Sequence, residues 1–409
     1  MLHIHFGAGR LGLGLVAPFL RKQDSELYLL NRAVSGSKAT GGTSLDPGRR
    51  NDLLRDHPER QYFIQKPGGS PEDREVVRYD GFHAYGEDDV EGIVRSILDA
   101  STAKRAAVVV TASVLQPENY AAVIRALNAL CEAKEGGEDL GPIFLVACEN
   151  TLTAFEVIEH EDLADLLSPE TRRCVVPVHA LVDRLCVELE EDRSTDVPTV
   201  CVCAEDYGSL KFGLTPESEP LVALCAGSRV EFGRHIDVEK QIKSWLVNGT
   251  HCLLALTAFK EEGDAKPDLK LNDYLTSSPE HREFAASAMK EMGEGIAILL
   301  HKDPKYADFA REVDVDAYLD GACAKFLERM EGTADPITRI LARFRAPTAD
   351  QASTIETFTR RFADRIDQPI DAYEHEHGHL PPATSKGILN FYRLIASGHF
   401  IDTPPAQPA

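Results

Sequence analysis

The chain has 409 residues, which suggests about two or three domains with separate cores. With 43% apolar and 27% charged residues it has the composition of an ordinary folded protein. A formal charge of −22 excludes nucleic acid and anionic membranes as principal partners, because both reward clustered Lys and Arg, and leaves a small molecule in a local pocket.

The first half alternates between apolar runs and amphipathic segments. LHIHF reads as a short strand, GAGRLGLG as a turn opening onto the helix LVAPFLRK, and ELYLLN as a second strand. Residues 32 to about 80 are rich in Gly, Ser, Pro and charge and read as a long irregular excursion. EDDVEGIVRSIL and ENYAAVIRALNALCEA then read as helices, and RAAVVVTAS and PIFLVACEN as buried strands. This alternation predicts an α/β, Rossmann-like doubly wound parallel sheet. The turn-rich stretch TVCVCAEDYGSLKFGLTP predicts an antiparallel extension of that sheet. From about Val238 helical patterns follow one another to SKGILNFYRLIAS. The expected organisation is a dinucleotide-binding domain with the extension over 1–235, an all-helical catalytic domain over 236–402 and a frayed tail over 403–409.

Gly7, Gly9 and Gly12 form G-x-G-x-x-G between a strand and a helix. The first glycine lets the chain turn, the second admits a pyrophosphate to the backbone and the third lets helix and strand pack closely. Gly7, Ala8, Gly9, Arg10, Leu11 and Gly12 are therefore candidate cofactor contacts. At the end of the second strand the usual acid is replaced by Asn31, followed by Arg32. Loss of the carboxylate removes repulsion of a 2'-phosphate and Arg32 could pair with it, so the expected cofactor is NAD(P), with a lean toward NADP.

KSWLVNGTH places Lys243, Asn248 and His251 in an otherwise apolar helix. At about 100° per residue the three share one broad side of an α-helix. A buried lysine is pushed toward its neutral form, as a general base near neutrality requires. The alternative is a snorkelling Lys, a capping Asn and a core His.

GAGRLGLG at the start, ACEN at 147–150, VDR at 182–184 and K-x-x-x-x-N-x-x-H at 243–251 together resemble the polyol-specific long-chain dehydrogenase family, also called the mannitol dehydrogenase family. Length and the wording FGAG and ACEN bring the chain nearest the branch that includes mannitol-1-phosphate 5-dehydrogenase. The resemblance implies an NAD(P)-dependent, metal-independent oxidoreductase that interconverts a polyol or polyol phosphate and its ketose. It implies Lys243 as general base, Asn248 and Asn150 as donors to the developing oxyanion, His251 on a neighbouring hydroxyl, and Asp183 and Arg339 as substrate contacts. Leu13 and Arg10 depart from the branch, which carries Arg and Asn there, and so does the segment CAEDYGSLKFG. These departures keep two other expectations open: a ketouronate reductase, and a non-catalytic sensor of the nicotinamide cofactor.

DPITRILARFR offers Asp335 as a helix cap and Arg339 and Arg343 on one face, as a clamp for a phosphate or carboxylate. In YEHEHGH, His375, His377 and His379 alternate within what reads as a loop, a weak metal pattern, so no metal is expected. Gly293 and Gly295 inside a helix are expected to permit close packing against the catalytic helix or the cofactor. Nine cysteines without a CxxC pair suit a reducing cytoplasm, no apolar run reaches ~18 residues, and the glycine-interrupted N-terminus is no signal peptide. The expected protein is cytoplasmic, without membrane or nucleic-acid partner, and a monomer or weak homo-oligomer, as family members often act alone.

Overall fold

The computed structural model describes all residues except 34–44, 87, 116, 151, 264–265, 267, 343–350 and 398–409. The chain divides into two compact units, Met1–Asp237 and a second that begins at Val238. Among the described residues no helix is long and apolar enough to cross a membrane.

In the first unit β1 (Leu2–Phe6), β2 (Glu26–Arg32), β3 (Gly81–Tyr85), β4 (Val108–Ala112), β5 (Ile143–Ala147) and β6 (Val175–Val178) form one six-stranded sheet. Their spatial order is β3-β2-β1-β4-β5-β6 and every neighbouring pair is parallel. This is a doubly wound, Rossmann-like sheet whose strand order reverses between β1 and β4. Parallel strands must be covered on both faces, and here they are. Leu2, Ile4, Phe6, Val108, Val110 and Leu145 pack with the helices Val90–Ala100 and Tyr120–Glu135. Val109, Phe144 and Val146 join Leu15, Val16 and Phe19 in a separate core.

Two expectations for this unit are corrected. The stretch read as an irregular excursion contains the helix Pro47–Asp56 and the strands Gln61–Gln65 and Glu75–Arg78. The antiparallel extension is instead two separate sheets of mixed direction. One is four-stranded, with Thr199–Ala204 antiparallel to Cys186–Asp192 and parallel to Gln61–Gln65. The other is three-stranded, with Ser209–Gly213 between Val230–Gly233 and Ala180–Asp183.

The second unit is helix-rich, with a core that includes Trp245, Leu253, Leu254, Met289, Phe358 and Phe391. Its longest helices are Pro279–Lys302, Val315–Gly332 and Gln351–His377. Gly295 allows an unusually close approach, since a Cβ there would lie 2.1 Å from the Pro369 carbonyl oxygen of the helix Gln351–His377. Gly293 faces the Cys323 sulfur. The glycines thus serve packing, as expected, but their partners are these two long helices.

Candidate active site

The glycine turn follows β1 at the point where the strand order reverses. Gly7 has φ +100°, and a Cβ there would lie 2.4 Å from the Ser113 carbonyl oxygen, so only glycine fits. Gly12 is equally constrained: its Cβ would fall 2.2 Å from the Gly7 oxygen and 2.3 Å from His5 Nε2. Gly9 is different, because nothing lies within 4 Å of where its Cβ would be. The turn is therefore closed by protein atoms at its first and third glycines and open at the second, the geometry a dinucleotide phosphate requires. Ala8 is buried, and Leu11 packs into the core beneath the sheet.

The Gly7–Ala8 peptide is held at both ends by side chains. Asn31 Oδ1 accepts from the Ala8 amide at 3.1 Å, and His5 Nε2 donates to the Gly7 oxygen at 3.0 Å. Asn31 Nδ2 in turn donates to Asn51, whose own amide donates to the Arg32 carbonyl. Asn31 therefore shapes the turn from within, while Arg32 is exposed. Because His5 must carry its proton on Nε2, its Nδ1 accepts from the Thr111 hydroxyl, which itself accepts from His3 Nε2, both at 2.7 Å. Burial holds the His3 imidazole well below its usual pKa and lowers that of His5 to about 4. This wired pair was missed in LHIHF. The available signal was two histidines alternating inside a strand that is otherwise apolar.

Arg10 and Leu13 meet the four-stranded sheet. Arg10 Nη1 donates to the Val187 carbonyl at 2.8 Å, and the buried Leu13 offers its carbonyl to Tyr62. A Cβ at Gly14 would lie 2.6 Å from the Cys186 sulfur, and Arg184 donates to the Gly14 carbonyl. The segment after the turn is thus seated on that sheet.

Beyond the turn, the carboxyl ends of β4 and β5 contribute Ser113–Leu115 and Cys148–Asn150. Glu149 is buried and its carboxylate accepts from the Leu115 amide and, at 3.5 Å, from Tyr120. Leu115 is held at φ +72° and its side chain is exposed, a strained backbone position of the kind found at ligand sites. Neither residue was singled out from the sequence. Asn150 follows Glu149 and is exposed, and Asp183 ends the strand Ala180–Asp183 half-buried. Arg184, next along the chain, gives its Nε to the Glu205 carbonyl at 2.9 Å.

In the second unit the lysine segment departs from the expected α-helix. Lys243–Gly249 is π-helical and continues as the α-helix Thr250–Ala258. In a π turn the hydrogen bonds run from i to i+5, so Lys243 and Asn248 lie closer around the axis than the roughly 140° of an α-helix. His251 follows at i+3 from Asn248, on the next turn. Lys243, Asn248 and His251 are each half-buried, not fully enclosed, while Trp245 and Leu246 are buried. π-Helical turns are uncommon and concentrate at functional sites. Gly249 fits this turn against the helix Gln351–His377, since a Cβ there would lie 2.7 Å from the Arg365 carbonyl oxygen.

His251 leads to a residue the sequence reading gave another role. Its Nε2 lies 3.5 Å from Asp335 Oδ2, and its ring meets Phe326 edge-on. Asp335 is buried and does not act as the predicted cap. Arg339 Nε donates to its Oδ1 at 2.6 Å and Arg339 Nη2 donates to its Oδ2, a bidentate pair. The structure thus brings His251 and Arg339 together through one carboxylate. Arg343 lies outside the described residues, as does the tail 403–409.

The loop expected at 373–379 is largely helical, because Gln351–His377 runs on through Pro369. His375, His377 and His379 are exposed, and His377 Nε2 lies 2.9 Å from Glu294 Oε1. Among the described residues no group of three or more His, Cys, Asp or Glu side chains could hold a metal ion.

No protein family and no curated protein matches this sequence. The likeness lies in solved structures. A D-sorbitol dehydrogenase in substrate-free form is 14% identical with a TM-score of 0.54, over 96% of this chain and 80% of its own. The mannitol 2-dehydrogenase of Pseudomonas fluorescens, in a ternary complex with NAD and D-mannitol, is 15% identical with a TM-score of 0.54, over 99% of this chain and 88% of its own. At these identities the likeness is one of fold, and it extends over almost the whole chain.

Proposed function

We propose that this protein is an NAD(P)-dependent oxidoreductase that interconverts a polyol or polyol phosphate and the corresponding ketose. The observation that carries the reading is the π-helical segment Lys243–Gly249, which holds Lys243 and Asn248 just before His251. A turn that is closed at Gly7 and Gly12 and open at Gly9 suits the pyrophosphate of a dinucleotide. The nicotinamide, when bound, supplies the hydride acceptor or donor.

The protein's own residues manage the proton and the charge. Lys243 takes the proton from the substrate hydroxyl as the carbon is oxidised and returns it in the reverse direction. Asn248 and Asn150 donate to the oxygen on which negative charge builds, and His251 holds a neighbouring hydroxyl. Asp183 accepts from substrate hydroxyls and Arg339 contacts the substrate. No metal is needed, since the two amides take the Lewis-acid part. Arg32, the exposed last residue of β2, favours NADP over NAD.

The test is oxidation of NADPH and NADH with a panel of fructose, fructose 6-phosphate, fructuronate and tagaturonate, beside Lys243→Ala. Turnover of one ketose that falls about 100-fold or more in the variant, with cofactor affinity unchanged, is the expected result. Turnover indifferent to Lys243 would remove the base. Tight cofactor binding with no turnover of any sugar would favour a sensor.

A further inference from the structure

We infer that Asp335 sets the substrate class: it neutralises Arg339 and so selects an uncharged polyol or ketose over a phosphorylated or carboxylated sugar. The inference rests on the proposed function and narrows it. An arginine recognises phosphate or carboxylate best through two parallel N–H groups on one edge of its guanidinium. In this protein the Nε and Nη2 edge of Arg339 is already closed on Asp335, with Nε donating to Oδ1 at 2.6 Å and Nη2 donating to Oδ2.

Asp335 is placed to keep that edge. It is only 3% exposed, and a carboxylate buried so deeply is costly to strip of its cation. Its backbone is fixed as well. The Asp335 carbonyl accepts from the Leu271 amide at 2.9 Å, Lys270 and Pro336 form an antiparallel bridge, and the Ile337 amide donates to Leu269. An anionic substrate would have to pull Arg339 from this partner or approach a paired arginine beside a carboxylate.

The same carboxylate also faces the other proposed hydroxyl contact. His251 Nε2 lies 3.5 Å from Asp335 Oδ2, so the carboxylate orients the ring. Asp335 would thus act as a positioning residue for both groups. Arg339 retains 16% side-chain exposure, and any donor it offers lies beside a carboxylate that repels added negative charge. The arrangement reads hydroxyl groups well and extra negative charge poorly.

The experiment compares kcat/KM for fructose with that for fructose 6-phosphate and fructuronate, in the wild type, in Asp335→Asn and in Lys243→Ala. The wild type should favour the uncharged ketose at least 10-fold. Asp335→Asn keeps the shape and removes the charge, and should raise the ratio of anionic to uncharged turnover at least 10-fold, a change that mere loosening of the fold would not produce. Equal or better wild-type turnover of either anionic sugar overturns the inference, and so does an unchanged ratio in a folded Asp335→Asn. If that variant fails to fold, the wild-type ratio decides alone. A failure of the parent reading looks different: no sugar of either class is turned over, or turnover survives in Lys243→Ala, and the inference falls with it.

Discussion

Gly9 and Gly12 sit three residues apart in one turn, yet their constraints come from different partners. A side chain at Gly12 would collide with the Gly7 oxygen and His5 Nε2, so the conflict is within the protein. Gly12→Ala should cost about 1–3 kcal/mol, as overpacking does. At Gly9 the space is empty, so Gly9→Ala should change stability by no more than ~0.5 kcal/mol. If the pyrophosphate occupies that space, the same Gly9→Ala variant will bind NADPH at least 10-fold more weakly. Urea unfolding and a fluorescence titration of NADPH on each variant separate the two effects. Normal NADPH affinity in Gly9→Ala would place the phosphates elsewhere.

The π turn is an element held in shape by its neighbour. The helix Gln351–His377 lies against both Gly249, through the Arg365 carbonyl, and Gly295, through the Pro369 carbonyl. A methyl at either glycine must push that helix away, at about 1–3 kcal/mol each. Only Gly249 ends the segment that carries Lys243 and Asn248. Gly249→Ala should therefore lower kcat as well as stability, while Gly295→Ala should lower stability with kcat nearly intact, measured by thermal unfolding and NADPH oxidation. Equal losses of kcat would mean the turn is not specially dependent on this contact. This division of labour was hard to see in the sequence. Runs such as AAVVVTAS and PIFLVAC, separated by helical patterns, were legible as a parallel sheet because strands buried on both faces are apolar throughout. A π turn carries no residue pattern of its own, since it is a choice of backbone hydrogen bond. The strand Gln61–Gln65 was masked by the Gly, Pro and charged residues around it, although it pairs with Glu75–Arg78 nearby as well as with Cys201–Cys203 far along the chain. At the site, the spacing of Lys243, Asn248 and His251 was plain, but Asp335 looked like a cap because its true partners, Arg339 and His251, are fixed by the fold.

At the scale of the whole molecule, the formal charge of −22 and the buried histidines respond to acid in opposite directions. Lowering the pH reduces the net negative charge and so relieves self-repulsion. His3 and His5 work against this, because burial holds both in their neutral form. For His5 the pKa is about 4 when folded, against 6.5 for an unperturbed histidine. Between these values the unfolded chain binds a proton that the folded chain refuses, so stability falls as the pH falls. The contribution of His5 is fully present above about pH 6.5 and is lost progressively toward pH 4, with a loss of about 2 kcal/mol by pH 5. His3 acts with the same sign. His5→Gln retains a polar side chain and removes the titration, so it should be less stable than the wild type at pH 7 and should lose about 2 kcal/mol less on going to pH 5. Urea unfolding of both proteins at pH 7 and 5 checks this, because the surface carboxylates titrate alike in the two and cancel in the difference. An identical acid response would mean that His5 is already protonated in the folded protein, and the chain from His3 through Thr111 to the Gly7 carbonyl would then have to run with its protons placed differently.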